Sequence, residues 1–400
     1  MELTLLGFEI IKGAIMEKSK NDPNEPSFVE KLIFKEPTEE VLTKERLEEY
    51  INNGVALKHY IGYEISGFVH LGTGLLGMAK VADLQKAGID VTLFLADYHS
   101  WINKKLGGDL SVIRKIAGGY FKEALKQSLK LVGGDSDKVH FVLGSELYEK
   151  LSLDYFETLL NVSLNTSLSR IRRSITIMGR KEGEIIDLAQ LIYPAMQVAD
   201  IFGLDVNLAH GGMDQRKAHI IALEVGEKIG KYKPVVLHHH LLIGMHITEE
   251  VRQKILKAKR EENRDLFEEG IIEIKMSKSK PESAIFIHDS PDEIERKLKK
   301  AYCPPKEVEL NPILDLARYI LFRGEERELA IVNAKTQKRK VYYTYPELEK
   351  DYVEGKVYPA DLKSSVSNAL INLLEPARKY FLEGPGKNLL EEMKEIKVTR

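Results

Sequence analysis

The chain of 400 residues contains a single cysteine, Cys303. One thiol can close no intrachain disulfide and build no cysteine-based metal cluster. Such scarcity fits a reducing compartment, and the cytoplasm is the expected location. A run of about 18 consecutive apolar residues, the length a membrane-crossing helix needs, is also missing. No membrane span is therefore expected. The opening MELTLLGFEIIKGAIMEKSK has a short apolar run broken by Glu9 and Lys12 and no basic leader, so it does not read as a signal peptide. Charge of one sign is lacking too: 59 Lys and Arg face 61 Asp and Glu, a formal net charge of −2. No overall basic field announces a nucleic acid, so such a partner has to be met by local basic patches. There is no internal repeat and no low-complexity tail.

What is present is an ordinary globular composition, 43% hydrophobic and 30% charged, in a chain long enough for two or three domains. Residues 1–40 read as a polar lead-in. TKERLEEYINNG reads as a helix capped by Thr43 and ended by Gly54. From there strand-like and helical stretches alternate: ALKHYIGYE, a helix bearing Leu75, Met78 and Leu84, IDVTLFLADYH, a helix from residue 109, then KVHFVLGSE. This order predicts an α/β fold, a Rossmann-like parallel sheet with helices on both faces, over residues 41–303. Within it, 246–270 reads as a charged, solvated helical insertion, followed by a strand-like GIIEI. The proline pair in AYCPP (301–305) marks the start of a mainly helical C-terminal domain, 304–400.

Two loops carry chemistry. In SGFVHLGTG a strand ends, glycines follow and a helix begins, which is where an open parallel sheet binds ligands. Gly67, Gly72 and Gly74 would let a charged ligand approach the backbone, and helix N–H groups would face an anion. His70 and Thr73 offer side-chain donors. About 200 residues later stands KMSKS, Lys275, Met276, Ser277, Lys278 and Ser279. Two lysines on a serine-containing loop suit a clamp that neutralises charge developing on a polyphosphate. Alone, either loop is equally a solvated turn.

Together these loops resemble the two signatures of class I aminoacyl-tRNA synthetases. YIGYEISG, LFLADYHS, YPAMQVAD, GGMDQRKAH, KMSKSKPESAIFIHDSP and KKAYCP further resemble tyrosyl-tRNA synthetases of the archaeal and eukaryotic type, over residues 40–380. The fourth position of the first signature departs from that family's usual His or aromatic residue and is Thr73 here.

The resemblance implies activation of L-tyrosine by ATP with Mg²⁺, then esterification of tRNA(Tyr) by a homodimer. Catalysis would be positioning and electrostatics by His70, Thr73, Lys275 and Lys278, without a protein nucleophile. ATP would be bound by Gly67, His70, Gly72, Thr73, Met276, Ser277 and Lys278. Tyr193, Gln197 and Asp200, at i, i+4 and i+7, share one helix face. From spacing alone that is equally a polar face. The resemblance implies that Tyr193, Gln197 and Gln215 hold the substrate ammonium, that Tyr60 and Asp200 read the phenol, and that Glu64 lines the site. It implies that Arg216 reads the acceptor stem, with Arg173 and Lys217 beside it, and that Asp361 in YPADLK reads the anticodon. The alternatives are a tryptophanyl enzyme of the same subclass and a non-catalytic tRNA-binding paralogue. KTQKRK (335–340) reads as a solvated face. His238, His239 and His240 are consecutive, so they cannot converge on one metal ion, and no metal-ligating residue is assigned.

Overall fold

A six-stranded sheet, with apolar runs such as VTLFL (91–95) and VVL (235–237), lies at the centre of the chain, and the computed structural model describes residues 26–180, 187–323 and 328–396. The strands are β1 (Thr38–Leu42), β2 (Lys58–Tyr63), β3 (Asp90–Leu95), β4 (Val139–Leu143), β5 (Leu208–Gly212) and β6 (Val235–His239). Their order is β1-β6-β5-β2-β3-β4. β2 through β6 are parallel, and β1 closes one edge antiparallel to β6. The order reverses at β2, which lies between β3 and β5. In an open α/β sheet the crevice beyond the carboxyl ends of the strands at such a reversal takes the ligand. Helices Gly77–Lys86, Leu188–Gly203 and Arg216–Val225 follow or precede these strands.

Several elements differ from the sequence reading. The polar lead-in ends early: Pro26–Phe34 is a helix that buries Val29, Leu32 and Ile33. Each such side chain contributes about 1.5–3 kcal/mol. The fully buried Lys80 fixes the end of this helix, its ammonium donating to the carbonyls of Leu32 (2.8 Å), Ile33 (3.3 Å) and Lys35 (2.6 Å). Thr43 does not cap the next helix. It stands in the left-handed region, φ 59°, and its hydroxyl donates to Leu42 and Pro234 carbonyls instead. The charged insertion is docked, not solvated. Of its helices Glu249–Arg260 and Arg264–Ile274, the first buries Ile255, Leu256 and Ala258, and its Arg252 donates to Glu307 (2.8 Å) and to the Glu309 carbonyl (2.9 Å). GIIEI is the end of the second helix rather than a strand. Asn263 starts that helix by accepting from Leu266 N–H at 3.1 Å, and the helical frame overrides the isoleucine pair.

After AYCPP the described residues form helices and one antiparallel hairpin, β7 (Leu329–Val332) and β8 (Arg339–Tyr342), whose turn carries the first half of KTQKRK. The 24-residue helix Pro359–Leu382 packs on Pro291–Lys300 and on the helix Lys122–Leu131. One apolar core thus runs from Val29 to Met393 across the proline pair.

Candidate active site

The glycine-rich loop leaves β2 and enters the helical turn Gly72–Leu76. Gly67 has φ +135°, which a side chain would strain. Gly74 serves packing rather than ligand approach, correcting the sequence reading: a Cβ there would meet Ser128 Oγ at 2.6 Å and Val69 Cγ1 at 2.9 Å. His70 is buried. Its Nδ1 accepts from the N–H groups of Gly72 (3.1 Å) and Thr73 (3.4 Å), which leaves the proton on Nε2, 3.1 Å from Thr73 Oγ1. His70 therefore donates to Thr73, and the half-buried Thr73 keeps its own O–H for a ligand. Burial, then Lys278 and Lys275, hold the His70 pKa down at about 3, so the ring is neutral.

The lysine loop lies against this one. Leu71 N–H donates to the Ile285 carbonyl (2.9 Å), and His70 pairs with Phe286 across an antiparallel bridge. Met276 is 3% exposed and its N–H donates to Leu242 O at 2.6 Å, so its side chain and amide are committed to the protein. Ser277 and Ser279 hydroxyls are 2.9 Å apart. Lys275 is ion-paired with Asp214, and that cation outweighs burial to hold the Asp214 carboxyl below its ordinary range. Burial and the neighbouring Lys105 push the half-buried Lys278 ammonium down to about 7, opposed by Glu64.

Beside these loops, at the sheet reversal, one pocket is lined by Tyr60, Glu64, Tyr193, Gln197, Asp200 and Gln215, together with Gly62, Phe94, Ala96 and His99. The six tyrosine-site residues named from the sequence thus come together. Tyr193 Oη donates to Glu64 Oε1 at 2.9 Å, and Asn103 donates to the same oxygen at 2.7 Å. Gln197 donates to Gln215 Oε1 (3.2 Å), whose amide donates to Ile177 O (3.2 Å). Gln197 Oε1 is buried and has no hydrogen-bond partner among the described residues. Deeper in, Asp200 Oδ1 accepts from Tyr155 (2.8 Å) and Tyr148 (3.1 Å), while Oδ2 faces His99 Nε2 at 3.5 Å. Burial raises the Asp200 carboxyl to about 8, against those two hydrogen bonds. Sequence reasoning missed Tyr148, Tyr155, His99 and Asn103. Only His99 lay in a stretch already singled out, LFLADYHS.

The outlying residues are placed as follows. Arg216 starts the helix after Gln215 and donates through Nε to Glu40 on β1 (2.8 and 3.1 Å), so it is held rather than loose on the surface. Burial would raise Glu40, but His238 and Arg216 outweigh it and hold it near 2. Lys217 is half-buried and Arg173 exposed. Asp361 accepts from Ala334 N–H (3.2 Å) at the hairpin turn, with the 53% exposed Tyr358 three residues before it. The three consecutive histidines take different partners: His238 meets His219 and Glu40, His239 meets His210, and His240 meets Glu39 and Asp315.

Residues 52–375 match the family model described as tRNA synthetases class I (W and Y). A tyrosine–tRNA ligase of Thermococcus kodakarensis is 55% identical over 379 residues, 92% of this chain and 98% of that protein. The tyrosyl-tRNA synthetase of Pyrococcus horikoshii, solved with L-tyrosine, superposes with a TM-score of 0.85 at 50% identity, covering 93% of this chain and 100% of that one. A tryptophanyl-tRNA synthetase of Plasmodium falciparum shares the fold alone, at 17% identity and TM-score 0.57. By its two signature loops, its sheet and these relatives, the chain belongs to the class I tRNA synthetases, in the tyrosyl branch.

Proposed function

We propose that this tyrosine–tRNA ligase binds L-tyrosine in the pocket at the end of β2, activates it with ATP and transfers it to tRNA(Tyr). The observation that carries this reading is the polarity of the pocket. A carboxyl group sits at its depth on Asp200, and a buried, unpartnered amide oxygen on Gln197 sits beside Tyr193, Glu64 and Gln215. A phenol reaching Asp200 and Tyr60 would leave the substrate ammonium at Gln197, Gln215 and Tyr193. Phenylalanine lacks the donor, so Asp200 would gain no bond beyond those from Tyr148 and Tyr155, and tyrosine would be preferred.

In the first step an oxygen of the tyrosine carboxylate attacks the α-phosphorus of ATP. The bond to the bridging oxygen breaks and pyrophosphate leaves. In the second, the terminal ribose hydroxyl of tRNA attacks the adenylate carbonyl and AMP leaves. Neither step needs a protein nucleophile. Thr73, oriented by neutral His70, would donate to a phosphate oxygen, with Gly67 and Gly72 giving access. Lys275 and Lys278, with Ser277 and the Met276 carbonyl, would close over the leaving pyrophosphate. Mg²⁺ would enter with the nucleotide phosphates and supply charge neutralisation there; the described residues hold no group of three or more His, Cys, Asp or Glu able to take a metal ion.

Residues 41–303 are assigned to catalysis and 304–400 to the anticodon, with Asp361 reading it and Arg173, Arg216 and Lys217 facing the acceptor stem. A homodimer is assigned to the helix Leu153–Leu164. It exposes Leu153, Phe156, Leu160 and Leu164 along one face, Leu164 by 82%, and an uncovered stripe of that size calls for a self-complementary partner. No described helix is long and apolar enough to cross a membrane, and the assigned site of action is the cytoplasm.

The test is amino-acid-dependent ATP–pyrophosphate exchange with tyrosine, tryptophan and phenylalanine, followed by charging of tRNA(Tyr). Exchange driven by tyrosine alone supports the reading. Exchange driven by tryptophan, or none with any amino acid, overturns it.

A further inference from the structure

The lysine loop does not hold itself in place. Its backbone hangs from the segment 240–244 that follows β6. Leu242 O accepts from Met276 N–H at 2.6 Å, Gly244 N–H donates to Ile274 O at 2.7 Å, and Ile243 bridges Lys275. Both peptide groups flanking Lys275 are thus set by this strap.

The strap in turn is pinned from beyond the proline pair. Asp315, in the helix Pro312–Leu316, uses both carboxylate oxygens on it. Oδ1 takes His240 Nε2 at 2.8 Å and Oδ2 takes the Ile243 N–H at 2.9 Å. The other imidazole nitrogen, Nδ1, meets Glu39 Oε1 at 2.5 Å, and the ring stacks on Tyr319 with centroids 4.0 Å apart and planes at 21°. His240 N–H donates to Pro37 O at 2.8 Å. Burial would lower the His240 pKa, but Asp315 and Glu39 outweigh it and hold the ring charged, up to about 10. A carboxylate that binds a side chain and a main-chain amide three residues apart fixes both the height and the direction of the backbone between them.

We propose that Asp315 is a positioning residue for adenylate formation: by pinning the 240–244 strap through His240 and the Ile243 amide, it sets where Lys275 stands. Asp315 touches no substrate in this scheme. It couples the C-terminal region to the lysine loop in three consecutive links, Asp315 to strap, strap to loop backbone, and backbone to ammonium. The inference rests on the role proposed above for Lys275.

The test uses the full-length protein carrying Asp315→Ala, Asp315→Asn, Lys275→Ala or the Asp315→Ala/Lys275→Ala pair. Single-turnover adenylate formation, tyrosine affinity, transfer from preformed adenylate to tRNA and the thermal midpoint are read for each. A displaced catalytic group costs about 10- to 100-fold in rate. Asp315→Ala is expected to slow adenylate formation by about that much at saturating ATP, while tyrosine affinity and transfer stay within about twofold. Asp315→Asn, which keeps an acceptor for the Ile243 amide, is expected between parent and alanine variant, and it carries the test if the alanine variant does not fold. In the Lys275→Ala background the same substitution is expected to cost several-fold less, because contacts in one chain are not additive. Parental adenylate formation by both Asp315 variants beside a slow Lys275→Ala overturns the positioning role and leaves the lysine clamp standing. Parental rates for Lys275→Ala overturn the clamp reading and this inference with it. Equal losses in tyrosine affinity and transfer, or a full cost in both backgrounds, assign Asp315 to general stability and overturn the proposal.

Discussion

At the scale of single residues, Asp200 is the group proposed to select the amino acid. A hydrogen bond to a charged buried group contributes roughly 1.5–3 kcal/mol, and about 1.4 kcal/mol is tenfold. Asp200→Ala is expected to weaken tyrosine use in pyrophosphate exchange by about ten- to a few-hundred-fold and to leave phenylalanine use nearly unchanged. A parental ratio of the two would show that another group reads the phenol. The carboxyl is raised to about 8 in the empty pocket, so at pH 7 it is mostly protonated and cannot act as a charged acceptor until it ionises. Tyrosine affinity is therefore expected to rise from pH 6.5 to 8.5 with release of a proton, and calorimetry in buffers of different ionisation enthalpy measures both. Around Asp200, Tyr60, Tyr148 and Tyr155 titrate above this window and His99 below it. Lys278 titrates inside it, but its proposed partner is the leaving pyrophosphate, so tyrosine binding without ATP is not expected to follow it. Asp200→Asn should flatten the rise. The same shift makes the empty protein bind more protons than the unfolded chain between the two carboxyl pKa values. That contribution to stability is complete below about pH 4 and is lost as pH climbs through about 8.

At the scale of elements, the row Tyr193, Gln197, Asp200 was legible because a helix of period 3.6 must put them on one face, and YPAMQVAD carries enough apolar residues to set the opposite one. The partners of Asp200 were not legible. Tyr148 and Tyr155 stand on two separate short helices, 45 to 52 residues away in the chain, and no local spacing joins them to it. Helix Pro26–Phe34 was hidden for a different reason: nine residues behind a proline give too few turns for a periodic signal. GIIEI misled because isoleucine favours strands, while the cap that makes it helical lies seven residues upstream. The lysine loop, by contrast, stood out by its motif, but its support did not, since Asp315 belongs to another region. At this scale Lys278→Ala is expected to slow adenylate formation by about 10-fold or more, as loss of one preorganised cation does, with tyrosine affinity unchanged. Equilibrium binding beside single-turnover kinetics separates the two, and an equal fall in both would place Lys278 in the amino-acid site.

At the scale of the whole molecule, a net charge of −2 leaves recognition of tRNA to local groups, and Arg216 is already engaged by Glu40. The α/β order was legible from alternating strands and helices, and the sheet reversal at β2 placed the ligand crevice. A homodimer was an expectation of the resemblance, but the surface now proposed for it could not be read from the sequence. The stripe on Leu153–Leu164 is an ordinary amphipathic helix until the fold shows that its apolar face is left uncovered. Phe156→Glu with Leu160→Glu is expected to convert a dimer to monomers in sedimentation or light scattering, because it puts charges into an apolar self-contact. An unchanged mass would move the interface elsewhere.

Lys80 gives the fold a built-in reporter. Its amine is sealed beneath the helix Pro26–Phe34, out of reach of solvent, and burial lowers its pKa to about 7. An acylating reagent such as acetic anhydride is therefore expected to modify surface lysines quickly and Lys80 only when that helix lifts. Mass spectrometry of the Lys80 peptide over time then reads the opening rate of one helix in the otherwise native protein. Labelling of Lys80 as fast as surface lysines would mean that the helix is open most of the time.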